Sequence, residues 1–251
     1  ITNSLKSIKG FNQSTSEILL ECSQKMPFQY FIGLLLYLKQ HHRVTPTRII
    51  PLIKIGYFQD FGNIPTLLSI TEAFEFLKEG EAKQVAKDKL EGQMCAAVIM
   101  KLCSDLKKDG TPAKSYTLPE DIIDRDDLFK AIEDHIRQMD LPDISFKEKI
   151  NYQLEVLGYM DLTTNKKEDI RKLAVMSVFP LRSKNSKSIW AYVLDVKSLG
   201  TGKTCSLTVN KSVFEQCPLV TADVIYADKL YKTPKGYWYL DKYWKLEGDK
   251  I

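Results

Sequence analysis

Three histidines and five cysteines are too few, and too scattered, to build a metal centre or a disulfide framework in this chain of 251 residues. Cys22, Cys95, Cys103, Cys205 and Cys217 are odd in number and never form a CxxC pair. That usage suits small buried thiols in a reducing compartment, and the cytoplasm is the expected setting. His41, His42 and His135 do not pair with cysteines or acids at metal-ligand spacing, and adjacent His41 and His42 cannot share one helix face. No metal site and no cofactor are expected. Long apolar runs are also missing: the longest, Phe31 to Leu38, is eight residues and contains Gly33, whereas a membrane span takes about 20. The start, Ile1-Thr2-Asn3-Ser4, has neither a basic segment followed by an apolar one nor an initiator Met, so the chain reads as a piece excised from a larger one. With 12 Gly and 10 Pro, it is not collagenous or of low complexity.

What is present is a balanced globular composition, 44% hydrophobic and 27% charged, with 36 Lys+Arg against 32 Asp+Glu. The charge is segregated. Residues 1–71 carry 7 basic and 3 acidic side chains, residues 72–170 carry 15 and 22, and residues 171–251 carry 14 and 7. Two basic ends therefore flank an acidic middle. Clustered positive charge is the footprint of polyanion binding, because each phosphate neutralised releases counterions.

Periodicity divides the chain in three: 1–80, 81–170 and 171–251. The first part reads as five short helices. Ser14-Thr15-Ser16-Glu17 fits a capping box ahead of a helix running toward Met26. Phe28 to Gln40 is a nearly all-apolar helix, buried by its neighbours. Thr45-Pro46 opens a helix that Gly56 ends, with Pro51 expected to kink it. Pro65 to Lys78 carries Leu67, Ile70, Phe74 and Leu77 on one stripe. In the acidic middle, Val98, Leu102 and Leu106 mark a helix ending at Gly110, and Leu128, Ile132, Ile136 and Met139 mark another. Thr111 to Pro119 reads as a loop. From Leu173 the pattern changes to alternating runs at 174–180, 189–196, 204–209, 222–228 and 237–244, which predict a small five-stranded barrel. The fold class is thus α+β.

The sharpest local motif is Ile8-Lys9-Gly10-Phe11-Asn12 before the capped helix at Ser14. A helix, a tight turn with Gly and Asn able to take positive φ, and a second helix start form the layout of a helix-hairpin-helix, which aims backbone N–H groups at a phosphate. Lys9 adds a point charge. The later copy, Leu52-Ile53-Lys54-Ile55-Gly56-Tyr57-Phe58, has less basic character and is structural.

In the barrel region, if Ile189, Ala191 and Val193 point inward, alternation puts Trp190, Tyr192 and Leu194 on the opposite face. Exposed aromatics beside lysines make a stacking platform for single-stranded bases. Arg182, Lys184 and Lys187 precede that strand, and Lys229, Tyr231, Lys232 and Lys235 fall around the fourth and fifth strands. Gly200-Thr201-Gly202-Lys203-Thr204 is not a phosphate loop. The first glycine of that motif is Lys197 here, and Ser206-Leu207-Thr208-Val209 reads as strand where a helix is needed, so a β-hairpin turn is expected.

Order and spacing of Ser7-Ile8-Lys9-Gly10-Phe11, Met26-Pro27-Phe28 and Leu52–Gly62, then of Phe146-Lys147-Glu148-Lys149 and Leu154-Glu155-Val156-Leu157-Gly158-Tyr159 before the strands, resemble the C-terminal region of bacterial C-family replicative DNA polymerases, the DNA polymerase III alpha subunit. The resemblance spans roughly residues 5–77 and 146–245. It implies a tandem helix-hairpin-helix at 1–80, an acidic helical connector at 81–170 and an OB-fold at 171–251. On that likeness, Lys9, Gly10, Phe11, Asn12 and Ser14 grip duplex DNA. Arg182, Lys184, Lys187, Trp190, Tyr192, Lys229, Tyr231 and Lys232 hold single strands. Asp127-Leu128-Phe129 matches the end of the family's sliding-clamp peptide, although Arg125 stands where that peptide has Gln, and Leu128 also lies on a helix stripe. No catalytic constellation is expected, since the acidic pairs sit in a solvated run without the rigid sheet a two-metal polymerase centre requires. The partners implied are DNA, the sliding clamp and other replisome proteins. Two other readings remain open: a replisome interaction scaffold with little DNA affinity, and a separate nucleic-acid-binding protein built from the same modules.

Overall fold

Apolar periodicity and proline placement decide the first helices. In the computed structural model, which describes residues 8, 13–25, 28–77, 84–93, 95–106, 110–117, 125–164, 166–183 and 187–247, these are α1 (Gln13–Lys25), α2 (Phe31–His42), α3 (Pro46–Lys54) and α4 (Ile64–Leu77), with a 3-10 turn at Gln59–Phe61. α2 buries Phe31, Ile32, Leu34, Leu35, Leu36 and Leu38, as a helix enclosed by its neighbours must. Pro46 occupies the first turn of α3, where a missing N–H is harmless. Pro51 stays within that helix. α1 begins at Gln13, so Ser14 lies inside the first turn and does not cap it; Thr15 and Ser16 are buried and Ser14 is exposed.

Beyond α4 the polypeptide departs from its local pattern. β1 (Gln84–Ala86) leads into α5 (Lys87–Leu90), and α6 (Ala96–Leu102) ends at Cys103. Leu106 does not extend that helix. It closes β2 (Ser104–Leu106), which pairs antiparallel with β3 (Pro112–Thr117), and β3 pairs with β1 on its other edge. The segment expected to be a loop is therefore the central strand of a small sheet, formed because backbone pairing satisfies polar groups that short, polar side-chain runs do not advertise. α7 (Arg125–Gln138) buries Leu128, Ile132 and Ile136, while Met139 is exposed.

The chain divides into two compact units, Ile1–Ile144 and Ser145–Ile251, and not at 80 and 170. The acidic middle forms no unit of its own, because α7 packs against α2 and α4 in the first unit and α8 (Phe146–Leu157) belongs to the second. α8 starts with a reciprocal capping box between Ser145 and Glu148 and ends on Gly158 at φ 76°.

After a 3-10 turn at Lys167–Arg171, all five expected strands appear, each longer than its sequence signature: β4 (Lys172–Arg182), β5 (Ile189–Ser198), β6 (Thr204–Asn210), β7 (Val224–Lys232) and β8 (Trp238–Leu246). A short helix, α9 (Lys211–Gln216), separates β6 from β7. The barrel closes in the order β4-β5-β6-β8-β7, with β6 and β8 parallel and every other pair antiparallel. This mixed connectivity is consistent with an OB-like barrel. Its interior is filled by Leu173, Val175, Leu194, Val196, Leu207, Val209, Ile225 and Leu240, with Phe214 of α9 packed on them. Ile150 of α8 and Met160 form a second cluster with Ala174 and Val224. The α8 attachment has an ionic fastening as well. Asp223, buried, takes Lys147 Nζ at 2.7 Å and Lys245 Nζ at 2.9 Å. Burial pushes its carboxyl up, but Lys147, the Val220 amide and Lys245 outweigh that and hold it below the usual range.

The Gly200–Thr204 segment is the β5–β6 hairpin turn, as expected, closed by Ser198 N–H to the Lys203 carbonyl at 2.9 Å. A Cβ on Gly200 would lie 2.5 Å from the Lys166 carbonyl oxygen and 2.6 Å from the Ile170 nitrogen, both backbone atoms. Gly200→Ala should therefore destabilise the barrel unit by about 1 to 3 kcal/mol in chemical denaturation. An unchanged midpoint would show that the 3-10 turn yields.

Candidate nucleic-acid interface

One bulge sets the chemistry of the barrel's outer face. Leu181 pairs with Ala191 and Arg182 with Ile189, so Trp190 is an extra residue in β5. A bulge re-aims its side chain. Trp190, 49% exposed, consequently shares a face with Val193 and not with Leu194. This corrects the expected phase: Leu194 is fully buried, and Val193 faces outward. Tyr192 follows Leu194 toward the interior, its ring stacked 3.8 Å from Phe214, and so is not part of an exposed platform.

The outward residues line a groove of about 480 Å3 across β5, β6 and β8. Leu181 and Val193 give it an apolar floor, Ser206 and Thr208 add hydroxyls, and Trp190, Tyr237, Trp238 and Tyr239 supply aromatic surface. Tyr237 is 65% exposed and Trp238 42%. A tight turn presents both. Thr233 N–H donates to the Tyr237 carbonyl at 2.8 Å, Tyr237 N–H donates to Thr233 Oγ1 at 3.1 Å, and Gly236 takes φ 90° between them. Lys232 Nζ lies 5.9 Å from the Trp238 ring centre, a cation–π contact that leaves a positive charge beside the aromatic wall. Tyr231, half exposed, stacks on Tyr239 at 5.4 Å and continues that surface.

Arg182 and Lys187 are exposed in the β4–β5 hairpin, where Lys187 sits at φ 52°, while Lys184 lies outside the described residues. Lys229 is held by Asp241 at 2.6 Å, a hydrogen bond that keeps its ammonium above the usual range. Of the proposed single-strand residues, the groove therefore gathers Trp190, with Tyr231 and Lys232 beside it. It draws in Tyr237, Trp238 and Tyr239, which sequence reasoning placed on a strand without giving them a role. Their signal was three successive aromatics, since any extended segment must expose at least one of them.

In the first unit, Lys9, Gly10, Phe11 and Asn12 lie outside the described residues, and Ser14 is an exposed first-turn residue. The later turn, with Gly56 at φ 77°, has its amides committed locally: Gly56 N–H to the Ile53 carbonyl at 2.9 Å and Tyr57 N–H to the Leu52 carbonyl at 3.0 Å. Both bonds close the turn onto the end of α3. Leu128 and Phe129 are each 3% exposed, and Phe129 packs 5.3 Å from Phe74. Side chains so enclosed cannot enter a clamp pocket while α7 is docked, which corrects the reading of that tripeptide; the Asp127 side chain is outside the described residues.

Cys22, Cys95 and Cys103 are buried free thiols as expected, but Cys205 is exposed. Burial pushes Cys95 up to about 11. Among the described residues no three His, Cys, Asp or Glu side chains group as a metal site, and no helix is long and apolar enough to cross a membrane. Comparison with protein-family models, with characterised proteins and with solved structures finds no match for this chain.

Proposed function

We propose that the barrel unit is an OB-fold that binds single-stranded nucleic acid across β5, β6 and β8, within a noncatalytic DNA-binding portion of a C-family replicative DNA polymerase. The observation that carries the binding reading is the aromatic groove between the β4–β5 and β7–β8 connections. OB-folds bind oligonucleotides on their second and third strands and the loops at either side, and this groove has that location. Bases stack on Trp190, Tyr237 and Trp238 whatever their identity, while Arg182, Lys187 and Lys232 meet phosphates at the rim. Assignment to the polymerase, and the duplex grip at Lys9–Asn12, rest on the sequence resemblance.

The test is titration of the chain with fluorescent single-stranded, primer–template and blunt duplex DNA at low and moderate salt. Single-strand affinity should fall with a log–log salt slope of about −0.7 for each phosphate contact. Absence of binding to any DNA at low salt would overturn the proposal and leave a protein-docking surface as the better account.

A further inference from the structure

An acid stands behind one of the groove's hydroxyls. Asp195 stands between Ser177 and Ser206 in the cross-strand register of β4, β5 and β6. Ser177 Oγ donates to Asp195 Oδ2 at 2.7 Å, and Ser206 Oγ donates to Asp195 Oδ1 at 2.6 Å. Ser206 lines the groove. With its proton committed to the carboxylate, the Ser206 oxygen presents only lone pairs to a ligand, and the carboxylate behind it is itself an acceptor. Thr208, two residues along β6, keeps a rotatable hydroxyl that serves as donor or acceptor and so favours neither kind of ligand atom. Asp195 thus acts on the groove through the lining residue Ser206, whose hydroxyl it orients.

From this geometry we infer that the groove discriminates among bases, favouring those with an exocyclic amine, such as cytosine, over thymine. A cytosine amine offers protons to the Ser206 oxygen, whose own proton Asp195 holds. The corresponding position of thymine is a carbonyl, which sets oxygen lone pairs against oxygen lone pairs. The inference rests on the single-strand reading of this groove.

Fluorescence anisotropy with labelled oligo-dC and oligo-dT of equal length, at one salt concentration, tests it on the full chain. Oligo-dC should bind about tenfold more tightly than oligo-dT. Asp195→Asn releases the Ser206 proton and adds an amide donor, so the ratio should fall to within about twofold, mainly through tighter oligo-dT binding. A pyrimidinone oligonucleotide, in which hydrogen replaces the cytosine amine, tests the same point on the unaltered protein and should bind more weakly than oligo-dC. Equal binding of dC and dT, with both weakened by Trp190→Ala, would overturn the base preference and leave the groove reading standing. Pyrimidinone binding as tight as dC would also overturn it. If neither homopolymer binds, the groove reading and this inference fall together.

Discussion

Trp190→Ala and Trp238→Ala each weaken single-stranded DNA binding by roughly tenfold, within the range of about 1 to 3 kcal/mol that a lost base–aromatic stack costs. Both indoles are about half exposed on opposite walls of one groove, so their removal deletes stacking surface without opening the barrel core. Trp244 is the internal control. It is equally exposed but stacks on Tyr226, 4.9 Å away, and does not line the groove. Trp244→Ala should leave the affinity within about twofold of the parent, since a surface change off the site alters little. Anisotropy titrations of the three variants, with thermal melts to confirm folding, check the contrast. Equal losses at all three positions would place binding elsewhere on the barrel.

Glu133→Ala should destabilise the first unit by about 3 to 5 kcal/mol, the cost of breaking a buried charge cluster. Helix α2 begins after Tyr30, which supplies no side-chain cap, and its first turn contains no acid. The cap comes from α7. Glu133, fully buried, accepts from Phe31 N at 3.0 Å and from Ile32 N at 2.7 Å. The same carboxylate takes Arg137 Nε at 2.9 Å and Nη2 at 2.6 Å, and Arg137 Nη1 donates to the Phe61 carbonyl at 2.6 Å. The Glu133–Arg137 pair thus joins α7, the positive end of α2 and the 3-10 turn. Alanine leaves two helix-end amides and a guanidinium without this acceptor. Guanidinium denaturation followed by a probe in each unit should show the first transition moving to lower denaturant while the barrel's midpoint stays fixed. A loss below about 1 kcal/mol would mean that water replaces the carboxylate without penalty.

The contrast between these two features explains what the sequence makes legible. All five barrel strands can be located from alternation bounded by turn residues, because a half-buried strand records its two faces in its own composition. Trp190 shows the limit: one inserted residue reverses the phase, and Leu194 and Val193 exchange the faces that strict alternation assigns them. The β1-β3-β2 sheet is silent for a different reason. β1 and β2 are three residues each, too short for a period, and the Val98–Leu106 spacing imitates a helix across the break at Cys103. Glu133 lies 102 residues from the amide it caps, outside the reach of any local capping rule. Leu128 and Phe129 raise the opposite problem. A short linear motif and a helix stripe use the same residues, and only their burial against Phe74 and its neighbours decides between them. The groove itself was half visible, through Trp190 and the flanking lysines, while Tyr237 and Trp238 needed the closed barrel to bring them opposite it.

Photocrosslinking an iodouracil-substituted single-stranded oligonucleotide to the full chain, followed by mass-spectrometric mapping, tests the central claim most directly, because halogenated bases couple to the aromatic rings on which they stack. The account predicts adducts on Trp190, Tyr237 and Trp238. Adducts confined to Trp244 and Tyr226, or none under conditions where the oligonucleotide binds, would contradict it.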